Sequence, residues 1–201
     1  NGVALQLAKS GLRVAVVDYR TTLGDKLCTG IVSIQCLRDF PPLREVVHRS
    51  SHSATVVAPS GTSLRVERAT PQAHIIDRVA YVSDLAEQAH RAGAFYMLGR
   101  RVDDIQRTDR GVSLALSGGG HPGVEARMAV IATGFSPLLT TRLGLGKLHD
   151  YAIGVQMEVA VPDLQEVQVY LGNKFAPGFF GWLTPTAGGK ALLGLLSRIN
   201  S

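Results

Sequence analysis

The chain opens Asn1-Gly-Val-Ala-Leu-Gln-Leu-Ala-Lys-Ser-Gly11 and runs directly into Leu12-Arg-Val-Ala-Val-Val-Asp18. Val3, Ala4, Leu7 and Ala8 recur at helical spacing, and Gly11 is a natural C-terminal stop. Val14 to Val17 is a short unbroken apolar run, the pattern of a strand buried on both faces of a parallel sheet, and Asp18 ends it. Helix, glycine, buried strand and terminal acid read together as the second half of a dinucleotide-binding βαβ unit. In such a unit a first strand and a G-x-G-x-x-G turn precede the helix, where backbone approaches a pyrophosphate at the positive helix end. That turn is not among these residues, and the expectation is a fragment cut just after its last glycine. Asp18 would then stand about 20 residues past the motif, placed to accept the hydroxyls of an adenosine ribose. An ordinary αβ unit ending in a chance Asp is the alternative.

Beyond Asp18 the pattern loosens. Tyr19 to Gly30 is a polar loop, and Ile31 to Phe40 reads as a short helix ended by Pro41-Pro42. His52 to Val66 reads as a hairpin about Pro59-Ser-Gly61, and His74-Ile-Ile76 as a brief strand. Val79, Val82, Leu85, Ala86 and Ala89 form one apolar helix face, stopped by Gly93. Strands are expected over about 95–98, 102–106, 112–116 and 125–132. The Gly-rich break 117–123 has no helix after it, so a hairpin tip is favoured over a phosphate loop. Met128-Ala-Val-Ile-Ala132 reads as a buried strand running into Thr133-Gly134-Phe-Ser136, where backbone would pass close to a cofactor. After Leu148 helices disappear, and strands are expected over 152–161, 167–171, 179–183 and 191–196. These build a second sheet, which the earlier hairpin is a candidate to join. The fold class is therefore α/β: a dinucleotide-binding, Rossmann-like domain interleaved with a mostly antiparallel β domain. Residues 1–50 and 79–149 are assigned to the first, 51–78 and 150–201 to the second.

Composition excludes several classes. The 201 residues are 45% hydrophobic and 18% charged, enough for a packed core rather than a disordered chain. No run approaches the length of a spanning helix. Two cysteines, Cys28 and Cys36, make neither a disulfide scaffold nor a multi-cysteine metal site. The six histidines show no ligand spacing, so no metal is expected, and no Ser/His/Asp arrangement stands out. The net charge of +5 is spread along the chain, with Arg100-Arg101 the one adjacent basic pair, and aromatics are 6%. A nucleic-acid partner would want a clustered basic stripe interleaved with aromatics, so none is expected.

Several ordered motifs resemble the FAD-dependent geranylgeranyl reductase family, within the larger group sharing the fold of the aromatic flavin hydroxylases. Residues 7–18 resemble the helix and strand after the FAD glycine turn, and Lys26-Leu-Cys28-Thr-Gly30 resembles the family's Lys-x-Cys-x-Gly stretch beside the flavin. Asp77-Arg78 precedes a helix as in relatives, and Ala132-Thr-Gly134 resembles their strand-end turn. Pro177-Gly-Phe-Phe180-Gly-Trp182-Leu-Thr-Pro185 resembles the aromatic-x-Trp-x-x-Pro block, with Tyr151 to Glu158 similar to the strand that leads into it. The similarity runs from residue 1 to about 197. It departs at the glycine turn and at the later Gly-Asp motif, both outside these residues. Asp18 stands where Glu is more usual, and Thr133 where the hydroxylases carry Asp.

The resemblance implies FAD as cofactor, held by Asp18, Cys28, Thr29, Gly30, Arg78, Val102, Thr133 and Gly134. Arg78 would pair with the pyrophosphate, the alternative being a helix-start arginine bonded to Asp77. Val102 would hold adenine by backbone groups. Cys28 is the candidate catalytic residue, on the flavin's substrate side, where the alternative is a small loop cysteine that merely packs. Phe180 and Trp182 alternate along one strand face and would line an apolar slot for a prenyl chain; core aromatics are the alternative. Cys36 is taken as structural. The implied activity is reduction of prenyl double bonds in an isoprenoid lipid or prenyl quinone, with NAD(P)H or a ferredoxin-like donor. The implied location is cytoplasmic, with peripheral contact at the membrane. The alternatives are NAD(P)H- and FAD-dependent aromatic hydroxylation, or a non-catalytic fragment.

Overall fold

The computed structural model describes residues 1–24, 26–135, 137–146 and 149–198. The chain divides into two compact units: Asn1–Leu23 with Ala86–Asp150, and Gly24–Leu85 with Tyr151–Ser201.

In the first unit helix α1 (Gly2–Lys9) leads to strand β1 (Ala15–Asp18), with Gly11 at φ +77° making the stop that the sequence predicts. Strand β1 pairs in parallel with a strand at Phe95–Leu98, in register Ala15 to Phe95 through Asp18 to Leu98. The core here is small and alanine-rich: Ala4, Leu5, Ala8, Ala89 and Ala94, with Val14, Val16 and Tyr96 packed on it. Small side chains let helix and strand approach closely. Strand β1 is half-buried rather than fully buried, because among the described residues it has a single ladder partner.

The second unit begins with strand β2 (Ile31–Ser33) and helix α2 (Ile34–Asp39), so the helix expected over 31–40 starts as a strand. Ser33 is the reason for the switch: its hydroxyl accepts the Cys36 N–H at 3.2 Å and caps the helix. Strands β3 (Val47–Ser51), β4 (Ser53–Val57), β5 (Ser63–Glu67) and β6 (Ala73–Ile76) follow, with β4 and β5 forming the expected hairpin. Strand β6 is the centre of a small sheet ordered β2-β6-β3. Helix α3 (Arg78–Arg91) comes next, and the boundary between the units falls within it. Its buried face keeps Leu85, Ala86 and Ala89 of the expected one and adds Tyr81 and Asp84, whereas Val79 is 46% exposed. The carboxylate of Asp84 accepts the Leu43 N–H at 2.8 Å and the Arg44 Nε–H at 3.0 Å, which satisfies a charge with no solvent exposure.

The first unit then resumes with β7 (Phe95–Leu98), β8 (Arg101–Thr108), β9 (Gly111–Ser117), β10 (Gly123–Ala126) and helix α4 (Pro137–Arg142). Strands β8, β9 and β10 form an antiparallel meander, so the Gly-rich break is a hairpin tip. The strand expected over Met128 to Ala132 does not form: these residues have no ladder partner among the described residues, and Met128 and Val130 are 80% and 58% exposed. An apolar run becomes a strand only where neighbouring strands take up its N–H and C=O groups.

The second unit closes with β11 (Ala152–Ala160), β12 (Val167–Leu171), β13 (Phe180–Pro185) and β14 (Lys190–Arg198). They join the earlier hairpin in a six-stranded sheet ordered β11-β14-β13-β12-β4-β5. Residues 24–50 and 79–85 group with this unit rather than with 1–23. The reason is packing: Val46, Ile76, Tyr81 and Leu85 form one core, on which Val32, Cys36, Leu37 and Phe40 pack.

Candidate functional site

In the second unit the loop before β2 is held at several of its described residues. The Arg78 guanidinium, at the start of α3, donates through Nη2 to the carbonyls of Gly24 and Lys26. Asp77, rather than pairing with Arg78, accepts the Ala80 N–H at 2.9 Å and caps the helix. Gly24 lies against the α3 backbone, where a Cβ would stand 2.9 Å from the Val79 Cα. Gly30 has φ +73°, and a Cβ there would lie 2.6 Å from the Ile76 carbonyl oxygen. Only glycine permits that approach and that dihedral together. Between these anchors Cys28 is exposed, and Thr29 Oγ1 accepts the Ile31 N–H at 3.5 Å. Cys36 sits elsewhere, its Sγ 3.7 Å from the Tyr81 hydroxyl. Burial and that contact push the Tyr81 hydroxyl above its ordinary value.

Phe180 and Trp182 share one face of the large sheet, as their alternation predicts. Their rings meet edge to face with centroids 6.3 Å apart, and Trp182 is 7% exposed. Residues paired across strands share a face. The register therefore builds a row Gln156, Gly194, Trp182, Val169, Val56 and Leu64 across all six strands. The Trp182 ring lies over Gly194, where a Cβ would come within 2.4 Å of it. At one end of the row Gln156 accepts the Trp182 Nε1–H at 3.2 Å and donates to the Cys28 carbonyl at 3.1 Å. Leu27 packs beside it, its Cδ2 3.4 Å from where a Gly154 Cβ would be. The structure thus brings Cys28 and Trp182 to one place, through a glutamine the motif reading did not include.

In the first unit Asp18 ends β1. Its Oδ1 accepts the Arg20 backbone N–H at 2.9 Å, with the Arg20 guanidinium at 3.5 Å and stacked 4.6 Å from the Tyr19 ring. The carboxylate keeps capacity for further donors. Val102 is half-buried in β8 and pairs with Leu116, and a β-bulge follows between Val102 and Asp104. Thr133 and Gly134 are exposed on irregular backbone, Gly134 at φ +65°, and not at a buried strand end. Ser136 lies outside the described residues.

Two further features carried no motif. At the edge of the large sheet Glu166 takes hydrogen bonds from the Ser53 hydroxyl, from Thr55 Oγ1 at 2.6 Å and from Arg65 Nε at 2.9 Å. These donors, the two hydroxyls first, hold its carboxyl below the usual range. Among the described residues, buried hydroxyls without a partner occur at Thr184 and Thr186. No group of three or more His, Cys, Asp or Glu among those residues could hold a metal ion, and no described helix is long and apolar enough to cross a membrane.

No family model matches the chain. It is 28% identical over 204 residues to digeranylgeranylglycerophospholipid reductase 1 of Methanosphaera stadtmanae, which covers 96% of the chain and 50% of that protein. The chain thus spans about half the length of the curated relatives it matches. Its fold matches a geranylgeranyl bacteriochlorophyll reductase-like protein of Thermoplasma acidophilum with a TM-score of 0.88 at 23% identity, over 99% of this chain and 54% of the other. A probable FAD-dependent monooxygenase of Pseudomonas aeruginosa shares the fold more loosely, with a TM-score of 0.70 at 16% identity over 98% and 57% of the two chains. On these matches the chain is a mixed α/β homologue of the geranylgeranyl and digeranylgeranylglycerophospholipid reductases, the family its motifs resemble.

Proposed function

We propose that the protein carrying this chain is an FAD-dependent oxidoreductase that reduces prenyl double bonds of an isoprenoid lipid or prenyl quinone. The observation that carries the proposal is the apolar row through Trp182, ending beside the Cys28 loop, in a homologue of prenyl-lipid reductases. A flat aromatic and aliphatic wall suits a chain that offers no hydrogen bonds, and it excludes water from the reacting carbons.

Each unit, taken by itself, offers groups of the kinds a flavin dinucleotide needs. In the first unit Asp18 is an acceptor-only group at the C-terminal end of a parallel strand, the end at which open α/β sheets bind ligands. It would take ribose hydroxyls, with Val102 meeting adenine by its backbone and Thr133 and Gly134 offering backbone groups. In the second unit Thr29 and Gly30 would turn backbone N–H groups to the cofactor. Arg78 holds the loop through one nitrogen, and a guanidinium has donors to spare for a phosphate. Bound flavin supplies the hydride chemistry that no side chain can. Cys28 would present a small polarizable group on the substrate side, while Phe180 and Trp182 orient the alkene. Electrons would come from NAD(P)H or a ferredoxin-like donor, with peripheral contact at the membrane where the lipid resides.

The test is anaerobic mixing of the dithionite-reduced full protein with geranylgeranyl lipids, followed by mass spectrometry. The expected result is a gain of two hydrogens per reduced double bond. No gain across several prenyl substrates overturns the proposal, and substrate-stimulated oxygen consumption would favour hydroxylation instead.

A further inference from the structure

Gln156 stands between two groups with opposite and fixed demands. The Trp182 indole N–H only donates, and the Cys28 carbonyl only accepts. The 3.2 Å and 3.1 Å contacts therefore fix which end of the amide faces which partner, with Oε1 to the indole and Nε2 to the loop. A carboxylate, all acceptor, would serve the indole and repel the carbonyl. An aliphatic side chain would serve neither. The surroundings leave the ring little alternative seat: its face is against Gly194, and Phe180 meets it edge-on. The loop, for its part, is anchored at Gly24 and Lys26 by Arg78 and at Gly30 by the Ile76 backbone, which leaves Cys28 between two fixed ends. The contact to Gln156 bridges 128 residues of sequence.

We propose that Gln156 is a positioning residue that holds both the seat of the Cys28 loop and the orientation of the Trp182 indole, one through each end of its amide. The inference rests on reading Cys28 and Trp182 as two walls of one prenyl site. Gln156 acts on that site through both of them, setting their spacing together, and it does not itself meet the substrate.

The test uses the full protein without flavin or lipid, so its outcome is separate from that of the reductase assay. Trp182 is the one tryptophan among these 201 residues, and its indole N–H resonance, assigned by its loss in Trp182→Phe, is followed for hydrogen exchange by NMR. Cys28 is exposed, so it takes a nitroxide spin label whose mobility reads how firmly the loop is held, with attachment at Cys28 rather than Cys36 established by peptide mass spectrometry. In the unsubstituted chain the indole N–H is protected; exchange at the rate of free indole overturns the proposal before any substitution is made. Gln156→Leu is expected to speed indole exchange by about fivefold, the effect of one lost hydrogen bond, and to raise the mobility of the Cys28 label. Gln156→Glu is expected to split the two, with the Cys28 label as mobile as in the leucine variant and indole exchange unchanged. Circular dichroism establishes that each variant is folded, and if Gln156→Leu is not, the split between the two probes in the near-isosteric Gln156→Glu decides the matter. Both probes unmoved in a folded variant, or the two variants alike at both probes, overturns the proposal.

Discussion

Substituting Gly194 by alanine places a methyl group where the structure has a tryptophan ring. The new Cβ would lie 2.4 Å from Trp182 Cζ2, 2.6 Å from Cε2 and 2.7 Å from the Val155 carbonyl oxygen. Ordinary contact begins near 3.4 Å, so the ring must withdraw by about 1 Å, and at 7% exposure it has little space to do so. Overpacking by one methyl costs about 1–3 kcal/mol, and backbone on one side of the clash puts this case near the upper end. The loss of glycine's freedom in the unfolded chain offsets about 0.4–1 kcal/mol. The net expectation is a loss of about 2 kcal/mol, or about thirtyfold in the ratio of folded to unfolded chains. Urea unfolding followed by Trp182 fluorescence reads it as a lower midpoint at unchanged slope. Gly154→Ala is the control: its nearest neighbour is the mobile end of Leu196 at 3.0 Å, so its cost should stay within about 0.5 kcal/mol. Equal costs at the two glycines, or no cost at Gly194, would refute the packing argument.

The remaining predictions concern the sheet around that site. Glu166 titrates below its ordinary 4.5 in the folded chain, so its contribution to stability is complete above that value and fades as the pH falls through the lower folded one. Glu166→Gln should flatten this acid-side loss in pH-dependent urea unfolding, and parallel curves for the two proteins would contradict it. Thr184→Val, which removes a buried hydroxyl without a partner at constant shape, should raise stability by about 1 kcal/mol; a lower midpoint would show that the hydroxyl is satisfied.

What could be read in the sequence was whatever depends on neighbours a few residues away. Alternation put Phe180 and Trp182 on one face, and Gly11 and Gly93 marked helix ends that the backbone takes at φ +77° and +104°. Turn residues between 58 and 62 announced the hairpin that joins the large sheet. The resemblance singled out Cys28 and Trp182 together without saying what connects them. Illegible were the polar groups whose partners are remote. Asp84 sits on a helix face judged by apolar residues alone, yet its partner Leu43 is 41 positions away. Glu166 finds Ser53 across 113, and Gln156 reaches Cys28 across 128. A strand's existence can be equally remote in origin. Met128 to Ala132 has the composition of a buried strand, but no described strand lies beside it to complete the ladder, and its side chains stand exposed. The hold of Arg78 on two loop carbonyls was likewise invisible, because carbonyls carry no sequence signature.

The proposed chemistry depends above all on flavin. The direct measurement is the visible absorption spectrum of the purified full protein, before and after reconstitution with FAD and removal of the free cofactor. A retained flavin spectrum is predicted, weakened when Asp18 is replaced by alanine. A protein that stays colourless after reconstitution would contradict the assignment.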